Sequence, residues 1–262
     1  MVNESENWAQ FKADWQSDFY VVRYDRVAST MQAVRDPAVI AAANGGNCLV
    51  VADYQTDGHG QVGNHWESEA GQNLLFSFSL HPSLLQADRQ FLLSEIVSLA
   101  LVDALKPYLT ATVKWPNDIY VGDKKICGML LEHRVMGARL QETVIGIGLN
   151  VNQVLFCSNA PNPVSIRSIV GHEVERFQLL NRFFRLFMDY YAELQADHDL
   201  ALHQRYLQQL YRREGFHLYR DESGHTVRAR MVTVGTNGEL VLEHTDGRRQ
   251  SYCFKQISYL ID

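Results

Sequence analysis

The last fifty residues differ in pattern from the rest of the chain, and this change constrains the fold more than any other feature. After Arg212-Arg213, short runs rich in β-branched and aromatic residues occur at Phe216–Tyr219, Thr226–Val234, Leu240–His244 and Gln250–Phe254. The dipeptides Asn237-Gly238 and Asp246-Gly247 separate such runs and are typical of hairpin turns, because both residues tolerate positive φ. Residues 213–262 therefore predict a small all-β barrel that follows a larger domain at residues 1–212.

The larger domain alternates between strand-like and helical patterns. Residues 1–18 are polar and predict a frayed lead-in or a short helix. Strands are predicted at Phe19–Tyr24, Cys48–Ala52, Leu74–Leu80, Thr112–Trp115, Lys125–Glu132 and Thr143–Val151. Helical spacing of apolar residues predicts helices at Leu84–Leu109, Phe177–Leu194 and Leu200–Tyr211, and a helix opening after Ser29-Thr30. The fold class predicted for the whole chain is α+β.

The charge balance limits the classes of partner. Among the 262 residues, Lys and Arg total 24 and Asp and Glu total 30, for a formal net charge of −6. This balance argues against a protein that coats nucleic acid or binds a membrane surface, since both need a basic face. The distribution is uneven, because the 53 residues from Asp36 to Asp88 contain neither Lys nor Arg.

The sequence also indicates a compartment. No apolar run approaches the roughly 20 residues that span a bilayer, and the acidic N-terminus lacks the apolar stretch of a secretory signal. The four cysteines are scattered without the spacing of a zinc site, so we predict no metal ligands in the chain. Reduced thiols and a cytoplasmic location are the expectation.

Four segments carry polar or glycine residues where elements begin or end. Ser29-Thr30 opens a helix, and residues 55–66 form a loop that contains three glycines within six residues. Lys114-Trp-Pro-Asn-Asp118 ends a strand, with its proline enforcing an extended residue before it. In the fourth segment, Gly146 and Gly148 alternate on one face of a strand. Helix termini and glycine-rich loops can bind anions, and a glycine face can accept a flat ligand. An ordinary cap, a mobile loop or close strand–helix packing would leave the same patterns.

Taken together, in this order and spacing, the four segments resemble biotin protein ligases, also called biotin–[acetyl-CoA-carboxylase] ligases, of the type without a DNA-binding domain. Lys114-Trp-Pro-Asn-Asp118 matches the family's lysine motif residue for residue, and Lys125–Glu132 and Gly146–Asn150 follow at the expected distances. The resemblance covers roughly residues 19–262. It implies a mixed-sheet catalytic domain like that of class II aminoacyl-tRNA synthetases, followed by an SH3-like C-terminal domain.

The resemblance also implies a two-step reaction. Biotin and MgATP would give biotinyl-5′-AMP and pyrophosphate, and a lysine of a biotin carboxyl carrier protein would then attack the mixed anhydride. Lys114 is the expected catalytic residue, a compact cation able to bridge the biotin carboxylate and the α-phosphate. The residues implied for biotin binding are Ser29, Thr30, Gln55, His59, Gly60, Gln61, Lys114, Gly146 and Gly148. Those implied for ATP or adenylate binding are Gly58, His59, Gly63, Asn64, Trp66, Asn117 and Asn150.

Two departures from the family pattern bear on the site. The family's loop usually reads Gly-Arg-Gly-Arg-Arg-Gly-Arg, whereas residues 58–64 here read Gly-His-Gly-Gln-Val-Gly-Asn and fall within the segment free of Lys and Arg. The phosphate would then be held by backbone N–H groups, Lys114 and a protonated His59, and we predict weaker adenylate retention. The alternative is that the loop closes through backbone contacts and the missing arginines cost little. The Ser-Thr-Asn motif reads Ser29-Thr30-Met31, so no polar role is expected of Met31.

Other functions remain as alternatives. A lipoate–protein ligase or octanoyl transferase shares the catalytic fold, and a weakened or non-catalytic biotin-binding member would explain the altered loop. About 18 residues precede the first predicted strand, which is too few for a helix-turn-helix domain, so no nucleic-acid partner is expected. The expected partner is a biotin carboxyl carrier protein or domain of a carboxylase, with no membrane partner. Either a monomer or a homodimer is compatible with the sequence.

Overall fold

A computed structural model describes residues 4–60, 65–82, 85–158 and 162–261. Its helices in chain order are α1 Glu4–Trp15, α2 Thr30–Ala33, α3 Pro37–Ala42, α4 Phe91–Leu105, α5 Ile166–Val170, α6 Arg176–Gln195 and α7 Asp199–Gln208. The first seven strands are β1 Phe19–Tyr24, β2 Asn47–Ala52, β3 Leu74–Leu80, β4 Thr112–Lys114, β5 Asp118–Val121, β6 Lys124–Met136 and β7 Arg139–Leu149. The last five strands are β8 His217–Asp221, β9 Thr226–Val234, β10 Leu240–His244, β11 Arg249–Tyr252 and β12 Ile257–Tyr259.

The first seven strands form one mixed sheet in the order β1-β2-β3-β7-β6-β5-β4. β1 and β2 are parallel and the other neighbours are antiparallel. The mixed α+β fold expected from the sequence is confirmed. No helix among the described residues has both the length and the apolar character needed to cross a membrane.

The sheet has two chemically different faces, which β3 illustrates. Its sequence alternates apolar and hydroxyl side chains, and a strand projects successive side chains to opposite faces. Phe76 and Phe78 pack against α6, with the Phe78 ring 5.1 Å from that of Phe187, in the main hydrophobic core. Ser77 lies on the opposite face, toward the candidate site. The aromatic stripe of α6 is therefore core, as the spacing predicts.

Several predicted boundaries differ from those in the structure. The long helix predicted at Leu84–Leu109 is α4, Phe91–Leu105, preceded by a short 3-10 turn at Ala87–Arg89. Residues 83 and 84, where the predicted helix begins, lie outside the described residues. The β6–β7 hairpin is longer than predicted, because its outer end continues to Met136 and resumes at Arg139. Paired backbone groups in that end satisfy each other even though its side chains are exposed.

The chain after α7 forms a second, antiparallel sheet of five strands in the order β11-β10-β9-β8-β12. Gly238 and Gly247 adopt φ of +85° and +84°, as the two predicted hairpin turns require. β12 pairs with β8 and was not among the strands predicted. The division into units at residue 212 stays a prediction.

Candidate active site

A row of residues crosses four strands on the sheet face opposite α4 and α6. Gly148 on β7 pairs with Gly128 on β6, Gly128 pairs with Asp118 on β5, and Asp118 pairs with Lys114 on β4. Residues at paired positions point to the same side of a sheet. The register therefore places Lys114 at one end of this row and the paired glycines Gly128 and Gly148, called here the glycine floor, at the other end.

Lys114 lies at the outer strand of the sheet and is half-buried. Its Nζ lies 4.8 Å from the ring centroid of Tyr120 and 5.3 Å from that of Tyr259. Burial lowers the pKa of the Lys114 ammonium, and the nearby carboxylate of Asp118 acts in the opposite direction. Asp118 itself forms an ion pair with Lys125, with Oδ1 2.7 Å from Nζ. Within the described ranges, no carboxylate forms an ion pair with the cation of Lys114.

The residues after Lys114 form a rigid turn. The Trp115–Pro116 peptide bond is cis, and the Trp115 indole N–H donates to the carbonyl of Gly238 over 2.8 Å. Asn117 accepts from the Met129 N–H through its own carbonyl, and its side-chain amide donates to the Met129 carbonyl. Asn117 therefore fixes this turn to β6. The contact with adenylate expected of Asn117 stays a prediction.

A hydrogen-bonded group of polar side chains lies beyond the glycine floor. The backbone N–H and hydroxyl of Thr30 both donate to Gln55 Oε1, over 2.7 and 3.0 Å. The Ser77 hydroxyl donates to the Thr30 hydroxyl over 2.8 Å. Ser29 is buried beside them, at the N-cap of α2, without capping the helix through its side chain. This arrangement brings the predicted residues Ser29, Thr30 and Gln55 together and leaves donors and acceptors of fixed orientation.

Gly146 lies where this polar group meets a thioether. A Cβ at Gly146 would lie 2.6 Å from Met31 Sδ and 3.2 Å from Ser77 Oγ. Real Cβ atoms do not approach that closely, so the absence of a side chain at Gly146 is what admits Met31. Met31 is buried in a second, smaller apolar cluster on this face of the sheet. Gly146 thus serves close packing as well as the ligand space expected of it.

The Trp66 ring packs directly against the two paired glycines. A Cβ at Gly148 would lie 2.4 Å from Trp66 Cε2, and one at Gly128 would lie 3.0 Å from Cζ3. The Lys125 ammonium is 5.6 Å from the Trp66 ring centroid. The indole Nε1 is buried and makes no hydrogen bond to any described residue. The two glycines leave room for a ring close to the sheet, and in this structure the Trp66 indole occupies that room.

The glycine-rich loop is closed at its base by backbone pairing. The N–H of Trp66 donates to the carbonyl of Gly58 over 2.8 Å, and His59 and His65 form an isolated bridge. A Cβ at Gly58 would lie 2.9 Å from the backbone carbonyl oxygen of Trp66, so a glycine here permits the close approach of the two backbone segments. The His59 ring is exposed, with Nδ1 2.9 Å from the Asp57 carbonyl. Gly60 is partly exposed next to it.

Three of the predicted loop residues fall outside the described part of the chain. These are Gln61, Gly63 and Asn64. The roles expected of these residues, and of His59 and Gly60, stay predictions.

Asn150 follows directly after β7. Its side-chain N–H donates to the carbonyl of Val164 over 3.1 Å. Its Oδ1 is buried and accepts no hydrogen bond from the residues that the structure describes. A buried amide oxygen without a partner is costly, which makes Asn150 Oδ1 a ready acceptor for a ligand N–H.

Some residues of the site were missed by the sequence reasoning. Ser77 fixes Thr30, Gly128 supplies half of the glycine floor, and Asp118 and Lys125 form the ion pair beside it. A glycine within the apolar run of β6 was the available signal for Gly128, whereas the cross-strand partners depend on register. No group of three or more His, Cys, Asp or Glu side chains that could hold a metal ion occurs in the ranges described.

Comparison with known proteins identifies relatives of the chain. Residues 23–150 match the biotin/lipoate A/B protein ligase family. The biotin–[acetyl-CoA-carboxylase] ligase of Paracoccus denitrificans is 32% identical over 166 residues, covering 59% of this chain and 67% of that protein. The bifunctional ligase/repressor BirA of Bacillus subtilis is 34% identical over 137 residues, covering 51% of this chain and 41% of that protein. The chain thus spans about two fifths of the length of the Bacillus relative.

Solved structures show the same fold. A biotin protein ligase from Aquifex aeolicus in complex with biotin and ATP superposes with a TM-score of 0.75, at 21% sequence identity. The match covers 91% of this chain and 97% of the other. The five-stranded antiparallel sheet at the C-terminal end of this chain is consistent with the SH3-like domain expected from the sequence.

Proposed function

Because the chain belongs to the biotin/lipoate A/B protein ligase family, we propose that it is a biotin protein ligase, which adenylates biotin and transfers it to a lysine of a biotin carboxyl carrier protein. The observation that carries this proposal is the cross-strand row from Gly148 to Lys114. That row would set a flat ring system at one end and a carboxylate beside a fixed cation at the other.

The polar group and the glycine floor would bind biotin. Thr30 and Ser29, which are buried, and Gln55, which is half-buried, have donors and acceptors that suit the ureido N–H and C=O groups of the bicyclic ring. Gly146 and Gly148 would let the rings of biotin lie close to the sheet. Met31 and Trp66, which pack on these glycines, would either contact the rings of biotin or move to admit them. The ring end would then be fixed by hydrogen bonds and the acyl chain would extend toward Lys114.

Two unpartnered polar atoms fit the adenine of ATP. Asn150 Oδ1 can accept from an amino group, and Trp66 Nε1 can donate to a ring nitrogen or a phosphate oxygen. Mg²⁺ commonly binds through substrate phosphates with few protein ligands, so the metal would enter with ATP. Backbone N–H groups near Gly58 and the His59 side chain would contact the phosphates.

Lys114 would stabilise charge in both steps. In the first, a carboxylate oxygen of biotin attacks the α-phosphorus and the bond to pyrophosphate breaks, giving biotinyl-5′-AMP. In the second, the ε-amine of the acceptor lysine attacks the acyl carbon, AMP leaves, and the amine loses a proton. A fixed ammonium beside the phosphate and acyl oxygens would lower both barriers by holding the reactants and neutralising developing charge.

Partner and compartment belong to the same proposal. A carrier protein or carrier domain of acetyl-CoA carboxylase or a related carboxylase would be the acceptor. The net charge of −6 supports the absence of a nucleic-acid partner. Cytoplasmic location is supported by four cysteines that are all free thiols.

The test is incubation with biotin, MgATP and a carrier domain, followed by mass spectrometry of the acceptor. We expect one biotinyl group on a single lysine, and none with Lys114→Ala. A parallel reaction with lipoate separates the alternative function, because a lipoate ligase would modify its acceptor with lipoate instead. Absence of any biotin-dependent product would overturn the proposal.

A further inference from the structure

The outer edge of β4 is covered by the segment that leads into the C-terminal sheet. The N–H of Val113 donates to the carbonyl of Gln209, and the N–H of Tyr211 donates to the carbonyl of Val113, each over 2.8 Å. These bonds place Tyr211 and Arg212 beside Lys114. Arg212 in turn donates to the carbonyl of Leu260 over 2.7 Å, which fixes the end of the chain next to the same edge.

Tyr259 on β12 therefore lies beside the lysine of the site. Its ring packs against Tyr219 and Tyr211, with centroid separations of 5.1 and 5.7 Å. Its ring centroid is 5.3 Å from Lys114 Nζ, and that of Tyr120 is 4.8 Å from the same atom. Both distances are within the range of cation–π attraction. One ring belongs to the large sheet and the other to the C-terminal sheet.

The neighbouring residue makes a second contact with the C-terminal sheet. Consecutive strand residues point to opposite faces, and Trp115 donates its indole N–H to the carbonyl of Gly238. The Phe254 ring also lies 6.5 Å from that of Trp115. The Lys114-Trp115 pair is thus contacted by the C-terminal sheet on both sides, and the position of Lys114 depends on how that sheet docks.

The charges around Lys114 explain why a ring matters here. Asp118 on β5 favours the ammonium, whereas burial and the positive charges of Lys125 and Arg212 oppose it and lower the pKa of Lys114. The proposed chemistry needs Lys114 to carry a positive charge. Faces of aromatic rings stabilise a partly dehydrated cation without neutralising it, which a second carboxylate would do.

We propose that Tyr259 is a positioning residue, which together with Tyr120 holds the Lys114 ammonium over the site and couples its placement to the C-terminal sheet. This inference rests on the proposed function for its catalytic consequence. The ring of Tyr259 is the active part, because its hydroxyl is buried without a hydrogen bond to any residue described. Phenylalanine at position 259 should therefore preserve the position of Lys114.

The test compares Tyr259→Leu, which keeps an apolar cover but removes the ring, with Tyr259→Phe. Tyr252→Leu is the matched control, since Tyr252 is a buried tyrosine of the same sheet, and the rings that contact the Lys114 ammonium in the described part of the chain are those of Tyr120 and Tyr259. Two profiles are measured against pH. One is the rate of Lys114 acylation by acetic anhydride, read by peptide mass spectrometry, and the other is the rate of biotinyl-5′-AMP formation. Thermal unfolding confirms that each variant is folded, and Tyr259→Met is the second variant if leucine prevents folding.

We expect Tyr259→Leu to move both profiles by about one pH unit toward lower pH, because the ammonium loses stabilisation while remaining buried. The maximal rate of adenylate formation should fall by about tenfold, and Tyr259→Phe should restore both properties. Tyr252→Leu should lower thermal stability without moving either profile. Equal profiles for Tyr259→Leu and Tyr252→Leu, or failure of Tyr259→Phe to restore them, would overturn the inference. If the wild type formed no biotinyl-5′-AMP, the proposed function would be refuted instead. The acylation profile would still test the contact between the Tyr259 ring and Lys114.

Discussion

The structure predicts that Gly148→Ala destabilises the wild-type protein but stabilises a variant that lacks the Trp66 ring. The new Cβ would lie 2.4 Å from Trp66 Cε2, so the indole must move off the glycine floor. Overpacking of this kind costs about 1–3 kcal/mol. Alanine also reduces the freedom of the unfolded chain, which stabilises by about 0.4–1 kcal/mol where the backbone conformation suits it. The net expectation is a loss of about 1–2 kcal/mol in the free energy of unfolding.

The same substitution should stabilise the protein once Trp66 is removed. In a Trp66→Ala background the contact is gone and only the effect on the unfolded chain remains, so Gly148→Ala should raise the free energy of unfolding by about 0.5 kcal/mol. Gly128→Ala serves as the control, because its Cβ would lie 3.0 Å from the ring edge and 3.2 Å from the flexible end of Lys125. It should cost less than Gly148→Ala.

Urea unfolding of the four proteins in the cycle measures this coupling. The exposure of Trp66 is measured from the difference in iodide quenching between the proteins with and without this residue, because the chain has four tryptophans. We expect a coupling energy of at least 1 kcal/mol between the two positions, roughly the size of the clash. Equal effects of Gly148→Ala with and without Trp66 would refute the packing of Trp66 on Gly148. Such a result would also remove the argument that this floor admits a flat ring.

Three further predictions concern other parts of the molecule. Hydrogen bonding to Glu95 raises the pKa of His203, whereas burial raises the pKa of Glu95. The charged imidazolium therefore stabilises the fold below the ordinary pKa of histidine as long as Glu95 is ionised, and this contribution is lost as pH rises through the raised value of His203. His203→Gln should therefore cost about 2 kcal/mol in urea unfolding at pH 6 and less at pH 8.5. Ser77→Ala should weaken biotin binding by about tenfold in calorimetry, because the Thr30 hydroxyl loses the donor that orients it. His59→Arg should slow adenylate dissociation by about tenfold, since a guanidinium adds charge-assisted hydrogen bonds to phosphate.

Each of these has a result that contradicts it. A cost of His203→Gln that is independent of pH would show that the pair is not ionised at pH 6. Unchanged biotin affinity in Ser77→Ala would remove Ser77 from the binding group. Identical adenylate dissociation rates and identical pH–rate profiles for the parent and His59→Arg would mean that the loop retains the nucleotide without a side-chain cation.

Much of the fold could be predicted from local pattern. The alternation in Leu74–Leu80 follows from the different chemistry of two buried faces, one apolar and one bearing hydroxyl groups, and the apolar stripe of Phe177–Leu194 follows from one buried helix face. Both elements were predicted correctly. The hairpin turns at Gly238 and Gly247 were also found, because positive φ selects glycine there. Boundaries such as the start of α4 were wrong, since helical spacing continues through residues that tertiary contacts place in a turn.

The site was only partly predictable. The motif around Lys114 and the glycines of β7 were identified from sequence, and the structure brings them onto one face. Gly128, Ser77 and Tyr259 were missed because their relation to the site comes from strand register and from docking of the C-terminal sheet. Neither property is encoded in spacing along the chain. Met31 was expected to have no polar role, and it packs as an apolar residue against Gly146.

We propose above all that the sheet face containing Lys114 and the glycine floor activates biotin with ATP. Exchange of labelled pyrophosphate into ATP measures that step alone, without a carrier protein. We predict exchange that depends on biotin, is absent with lipoate, and falls by at least a hundredfold in Lys114→Met at saturating biotin. Exchange that is independent of biotin, or that survives in Lys114→Met, would contradict it.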